Sequence, residues 1–170
     1  MLPLFFGNAV SKKPVVIVPP VYGSNLYATF NLHNHSVHRY CPRSMNDSLL
    51  WLSPLMVVPP MFNCMSQLLS VDFDEESGKY VPTLNVNITT KHFGGDESVK
   101  YVDGGVFGKR FIESFASLIK MFEEEGYEIK KDLYATPYDW RLNLEALDGY
   151  WPQFKELIET AYEKNKEKVS

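Results

Sequence analysis

Only two cysteines occur in the chain, Cys41 and Cys64, so a disulfide-dense scaffold is excluded and a single pair is available. In a secreted protein that pair would bond; in a cytosolic one both would be free thiols. Long apolar runs are missing as well: none approaches the length of a membrane-spanning helix. A basic surplus is also absent. The 17 Lys and Arg against 21 Asp and Glu give a formal charge of −4. Nothing in that balance would release counterions from a polyphosphate, which argues against nucleic acid as a partner. There are no internal repeats and no low-complexity segments. What is present is core material. The 170 residues are 45% apolar and 14% aromatic, which suits one packed domain, or part of a larger one, and not a disordered chain.

Residues 1–11 open on Met1-Leu2-Pro3-Leu4-Phe5-Phe6, with small Gly7 and Ala9 at a spacing that suits cleavage. This segment reads either as a short signal peptide without a basic leader or as an apolar arm on the body. Three sequons, at Asn34, Asn46 and Asn87, are a mild excess in favour of a secreted glycoprotein.

Val15-Val16-Ile17-Val18 is a β-branched run suited to a strand buried on both faces, and Pro19-Pro20 ends it. Gly23-Ser24 then makes a turn. Residues 31–65, rich in His, Asn, Pro and Met, read as a long irregular segment, and such loops are usually functional. Within 71–105, Leu84, Val86 and Ile88 alternate with polar residues and predict a hairpin excursion or edge strand. Lys109 to Glu125 predicts a helix with Phe111, Ile112, Phe115, Leu118, Ile119 and Phe122 on one face and Gly126 as its stop. Leu133 to Ala135 reads as a second buried strand. A second helix is expected over Tyr150–Lys164, facing inward with Phe154, Leu157, Ile158, Ala161 and Tyr162, and Pro152 suits its first turn. Val169-Ser170 has the look of a third strand beginning. Strands alternating with helices imply an α/β fold with parallel pairing.

The densest motif is Pro137-Tyr138-Asp139-Trp140-Arg141, which sets a rigid proline, two aromatics and an Asp/Arg pair at a strand end, where α/β folds build their sites. With its neighbours it reads Ala135-Thr136-Pro137-Tyr138-Asp139-Trp140-Arg141. That string resembles the A-x-P-Y-D-W-R signature of the lecithin:cholesterol acyltransferase family, which includes lysosomal phospholipase A2 and the phospholipid:diacylglycerol acyltransferases. Pro14 to Pro19 followed by Gly23-Ser24-Asn25-Leu26 is similar to that family's opening strand and turn. Cys41, Trp51 and Cys64 resemble its disulfide-closed lid loop and exposed tryptophan. The likeness runs from about residue 13 to residue 170 in the family's order.

The resemblance implies the N-terminal portion of an α/β-hydrolase fold, residues 12–170, with a lid loop over 41–64 closed by a Cys41–Cys64 disulfide and with an incomplete sheet. It implies acyl transfer from a glycerophospholipid ester by a Ser-Asp-His triad, the serine sitting in a G-x-S-x-G elbow. No G-x-S-x-G occurs in these residues, so nucleophile, acid and base have no counterpart here, and the expectation is a truncated or degenerate member. Ser24 reads as a turn residue, and His92 is not taken for the base. One catalytic element has a matching position: the backbone N–H of Tyr22, in the loop after the first strand, as an oxyanion donor. Trp51 and Leu52, amid an apolar loop, are expected at a lipid interface or, alternatively, folded inward as core. Because the net charge is anionic, hydrophobic insertion is expected to dominate lipid contact. Tyr138, Asp139, Trp140 and Arg141 are expected to support the site through hydrogen bonds. His33, His35 and His38 have a spacing that Zn²⁺ tolerates, but no carboxylate falls in the cluster, so they read as a solvated loop and no metal or cofactor is implied. The partner is a phospholipid or membrane surface, the acyl acceptor is open, and the location is the secretory pathway or lysosome. The alternative is a non-catalytic lipid-surface binding module.

Overall fold

The computed structural model describes residues 12–33, 35, 37–103 and 112–170. The apolar N-terminal segment 1–11, the sequon at Asn34 and the expected helix start at Lys109 to Phe111 lie outside the described residues.

The architecture is mixed α/β, in two packed regions. The first is a parallel pair. Strand β1 (Val15–Ile17) lies beside β7 (Leu133–Ala135) in the register Val15↔Leu133 to Ile17↔Ala135. All three β7 residues are buried, as an uninterrupted apolar run requires. The other edge of β1 is also engaged: Ser170 N donates to Pro14 O at 2.8 Å and Val16 N donates to Ser170 O at 2.9 Å. These two bonds are those of a parallel bridge, so the end of the described chain runs beside β1 on the side opposite β7. Helices α2 (Glu97–Lys100) and α3 (Ala116–Glu124) cover the pair, bringing Val99 and Ile119 onto Ile17, Leu133 and Ala135. Gly126 follows α3 at φ +79°, a conformation that favours glycine.

Helix α3 is shorter than its apolar pattern predicts. Residues 112–115 are not helical; Ile112 O instead accepts from Val102 N, and Glu113 bridges Tyr101. With the start moved to Ala116, Ile112 and Leu118 become exposed, while Phe115, Ile119 and Phe122 face the core. Helix α4 (Tyr150–Asn165) forms as expected, with Phe154, Leu157 and Ile158 half-buried and Ala161 buried. Tyr162, expected on the inward face, is exposed, whereas its neighbour Ala161 is buried.

The second region corrects the reading of 31–65 as irregular. Strand β2 (Leu26–Asn31) lies between β3 (Ser44–Trp51) and β6 (Val86–Thr89) in a three-stranded antiparallel sheet. Alternation along β2 buries Leu26, Ala28 and Phe30. Helix α1 (Met61–Leu69) presses Cys64, Met65 and Leu68 onto that inner face, where they meet Phe30, Leu32, Leu50 and Val86. The β3 strand was hidden from sequence reasoning because register shifts interrupt its pairing and because Ser44 to Ser48 is polar. The expected hairpin excursion appears as β4 (Val71–Asp74) paired with β5 (Lys79–Pro82), while β6 joins β2 as an edge.

Candidate functional site

The loop after β1 leaves the sheet at its C-terminal end. Tyr22 takes a left-handed backbone, φ +68°, and Gly23 N donates to Pro20 O at 2.9 Å. A Cβ on Gly23 would come within 2.8 Å of Pro20 Cδ and 3.0 Å of Pro19 Cβ, so only glycine fits the turn. Tyr22 is 56% exposed, and among the described residues its N–H has no intramolecular acceptor.

Ser24 is buried, 1% exposed. Its Oγ accepts from Tyr138 N at 3.1 Å, and its carbonyl accepts from Trp140 Nε1 at 3.1 Å. The serine therefore ties the loop after β1 to the loop after β7. Asn25, wholly buried, extends the junction. Its N donates to Ser98 O at 2.9 Å and its Nδ2 to Val102 O at 2.5 Å, while Leu52 N reaches the same Val102 carbonyl at 3.0 Å. Composition alone gave no sign of this clamp; an Asn directly after a Gly-Ser turn is ordinary turn chemistry.

Three aromatic rings from three segments meet above the turn. Tyr22 lies 5.2 Å from Trp51 and 4.5 Å from Trp140, centroid to centroid, and the two indoles are 5.0 Å apart. Trp51 is half-buried and donates from Nε1 to Tyr22 O at 3.1 Å. It thus sits at the end of β3, packed against the loop. Trp51 and Trp140 belong to separate motifs in the sequence, and the fold brings both onto Tyr22.

Beneath the rings, Arg141 forks Asp139: Nε to Oδ1 at 2.9 Å and Nη2 to Oδ2 at 2.7 Å, with Arg141 N also donating to Oδ1 at 3.1 Å. The pair is mostly buried, and such planar, two-bond geometry fixes orientation as well as charge. Arg141 Nη1 also reaches Leu69 O at 3.5 Å, at the end of α1. On its other side the 137–141 loop borders a cleft of about 480 Å³ with Phe93, Tyr138 and Tyr150 in its walls. Burial raises the Tyr138 and Tyr150 phenols above the ordinary tyrosine range. At Tyr150 the hydrogen bond to Thr136 Oγ1 offsets part of that rise. Both stay neutral hydroxyls at physiological pH.

Cys41 and Cys64 form a disulfide with Cα atoms 5.3 Å apart, closing the segment that holds β3 and the start of α1. Between them Met56 is buried, whereas Leu55, Val58 and Phe62 are 67%, 49% and 53% exposed. Leu52 is half-buried. His33, His35 and His38 lie in the approach to Cys41, and among the described residues no group of His, Cys, Asp or Glu is arranged to hold a metal ion. Asn46 and Asn87 are exposed on β3 and β6.

Comparison with known proteins gives a consistent answer. A family model described as lecithin:cholesterol acyltransferase matches residues 47–170. The mouse phosphatidylcholine-sterol acyltransferase is 28% identical over 151 residues, 88% of this chain and 33% of that protein. The human protein of the same name is 27% identical over 148 residues, 86% of this chain and 32% of that one. The bovine lysosomal phospholipase A and acyltransferase is 26% identical over 157 residues, 91% and 38% of the two chains. The chain thus spans about one third of the length of the curated relatives it matches.

Proposed function

The chain belongs to the lecithin:cholesterol acyltransferase family, and on that premise we propose that it supplies the oxyanion side and the lipid-facing loop of a phospholipid acyl-transfer site built on an α/β-hydrolase fold. The observation that carries this reading is the junction of the loops after β1 and β7: Tyr22 sits there against Trp51 and Trp140, more than half exposed, and among the described residues its N–H has no intramolecular acceptor. A backbone donor left without an intramolecular acceptor is what a tetrahedral acyl intermediate needs. Arg141 and Asp139 act as positioning residues that hold the loop under the rings.

The nucleophile is assigned to a segment outside these 170 residues, because no G-x-S-x-G occurs among them and Ser24 is occupied as a structural clamp. A strand continuing from Ser170 beside β1 would end at the same sheet edge as the Tyr22 loop, where an elbow serine would face that amide. The substrate class is the acyl ester of a glycerophospholipid, with a sterol, an alcohol or water as acceptor. A secretory or lysosomal location is supported by the disulfide and by the similarity to the bovine lysosomal phospholipase A and acyltransferase.

The test extends the coding sequence past Ser170. An elbow serine within about ten residues, together with phospholipid hydrolysis that disappears on its replacement, supports the reading. A stop codon and a stably folded, vesicle-binding product would favour the second reading, a non-catalytic lipid-surface module, for which the exposed Leu55, Val58 and Phe62 speak. Under either reading Trp51→Ser weakens binding to neutral phosphatidylcholine vesicles, and equal binding by mutant and parent would leave Trp51 as packing alone.

A further inference from the structure

The β3-β2-β6 sheet has two unlike faces. Its inner face is closed, because Phe30 and Val86 meet Cys64, Met65 and Leu68 of α1 there. Strand alternation turns the intervening residues the other way. On β6, Val86 is buried while Asn87 and Thr89 are exposed. On β2, Thr29 and Asn31 are exposed; Thr29 stands opposite Asn87, and Asn31 stands opposite Ser44 of β3. Asn46 is exposed beside Met45, which packs inward. Thr29, Asn31, Ser44, Asn46, Asn85 and Asn87 together line one open cleft of about 520 Å³. All six are neutral and polar. Such a face suits water better than a protein partner, because interface cores favour aromatic residues and Met and an unpaired amide is costly to bury.

Two of these asparagines open an acceptor motif: Asn46-Asp47-Ser48 and Asn87-Ile88-Thr89. One lies on each outer strand of the sheet, about 10 Å apart at two strand spacings. The period of two sets the Thr89 side chain on the same face as Asn87, and both are exposed. Ser48 is exposed as well, and its Oγ donates to Asn46 O at 2.8 Å. Among the described residues the Asn46 and Asn87 carboxamides take part in no hydrogen bond, whereas Asn25, Asn143 and Asn165 spend theirs on holding the fold.

We infer that Asn46 and Asn87 are N-glycan attachment sites, and that the two glycans rise side by side from the outer face of the sheet, opposite α1. This rests on the secretory or lysosomal location proposed above. The donor is a lipid-linked oligosaccharyl diphosphate of that pathway. The asparagine Nδ2 forms a bond to C1 of the first sugar, the C1–O bond to the diphosphate breaks, the diphosphate leaves with the electron pair, and an amide proton passes to base. Bulky and hydrophilic, the glycans keep that face in solvent.

The test expresses the 170-residue chain in glycosylating eukaryotic cells behind a cleavable secretion leader, with protein recovered from both cells and medium. A peptide:N-glycosidase acting in heavy-oxygen water should convert Asn46 and Asn87 to labelled aspartate, read by mass spectrometry. Asn46→Gln and Asn87→Gln should each remove one mobility step on a gel, and the double variant two. Without denaturant the glycosidase should still release both glycans, as an open face requires. Unmodified Asn46 and Asn87 in every fraction overturns the inference; because the leader imposes the route, that result leaves the location reading standing. Carbohydrate at one position only overturns the paired arrangement, and glycans that come free only after denaturation overturn the open face. Glycans in this host, with none on the protein isolated from its source, overturn the location reading and the inference with it.

Discussion

Among the described residues, the antiparallel sheet β3-β2-β6 with α1 gathers ten buried side chains, the disulfide's two cysteines included, whereas the parallel pair β1–β7 with α2 and α3 gathers five. The part that looks like an excursion from an α/β frame thus holds the larger core among the described residues. The frame, with two three-residue strands and one further bridge at Ser170, is the thinner one. The difference teaches where rigidity resides. The loop carrying Tyr22 is tied to the antiparallel region by Trp51 at the end of β3, and the 137–141 loop reaches Leu69 of the same region through Arg141.

The largest expected effect breaks that coupling. Arg141→Ala leaves Asp139, only 15% exposed, without its cation, and should cost about 4 kcal/mol in chemical denaturation. A loss below about 1 kcal/mol, the usual worth of an exposed pair, would place the pair in solvent. Next in size is Leu50→Ala, which empties a fully buried site in the larger core and should cost about 3 kcal/mol. Paired with Ile119→Ala in the smaller core, it sharpens the comparison through hydrogen exchange. Leu50→Ala should speed exchange in β2 and β3, and Ile119→Ala in β1 and β7. Uniform acceleration by both would merge the regions into one cooperative unit.

Opening the disulfide by Cys41→Ser with Cys64→Ser should cost about 3 kcal/mol, because the unfolded chain regains the entropy that closing the loop had removed. The loss should appear in the antiparallel region, read by exchange at β3 and α1. The smallest effect belongs to the frame: Gly126→Ala, at φ +79°, should cost about 1 kcal/mol. A neutral result there would mean that the turn after α3 relaxes freely.

Much of the frame was legible. Val15 to Ile17 and Leu133 to Ala135 are unbroken apolar runs, and Pro19-Pro20 and Gly126 punctuate them. The start of α3 was not legible, because Ile112 and Phe115 keep a helical spacing although residues 112–115 bridge to 101–102 instead. Strand β3 was obscured by its largely polar first half, where only Met45 packs on the core. For the site, the Pro137–Arg141 motif pointed to the correct loop through its composition. The contacts that assemble it, Trp51 on Tyr22 and Trp140 on the Ser24 carbonyl, join positions up to 116 residues apart that no local pattern links.

The central claim is that these residues hold the oxyanion side of an acyl-transfer site and not its nucleophile. Labelling the 170-residue chain with a fluorophosphonate, read by mass spectrometry of its peptides, addresses that claim most directly. The account predicts no adduct on any serine, Ser24 included, because its hydroxyl is buried and engaged with the Tyr138 amide. A stoichiometric adduct on Ser24, or on any other serine of the folded chain, would contradict it.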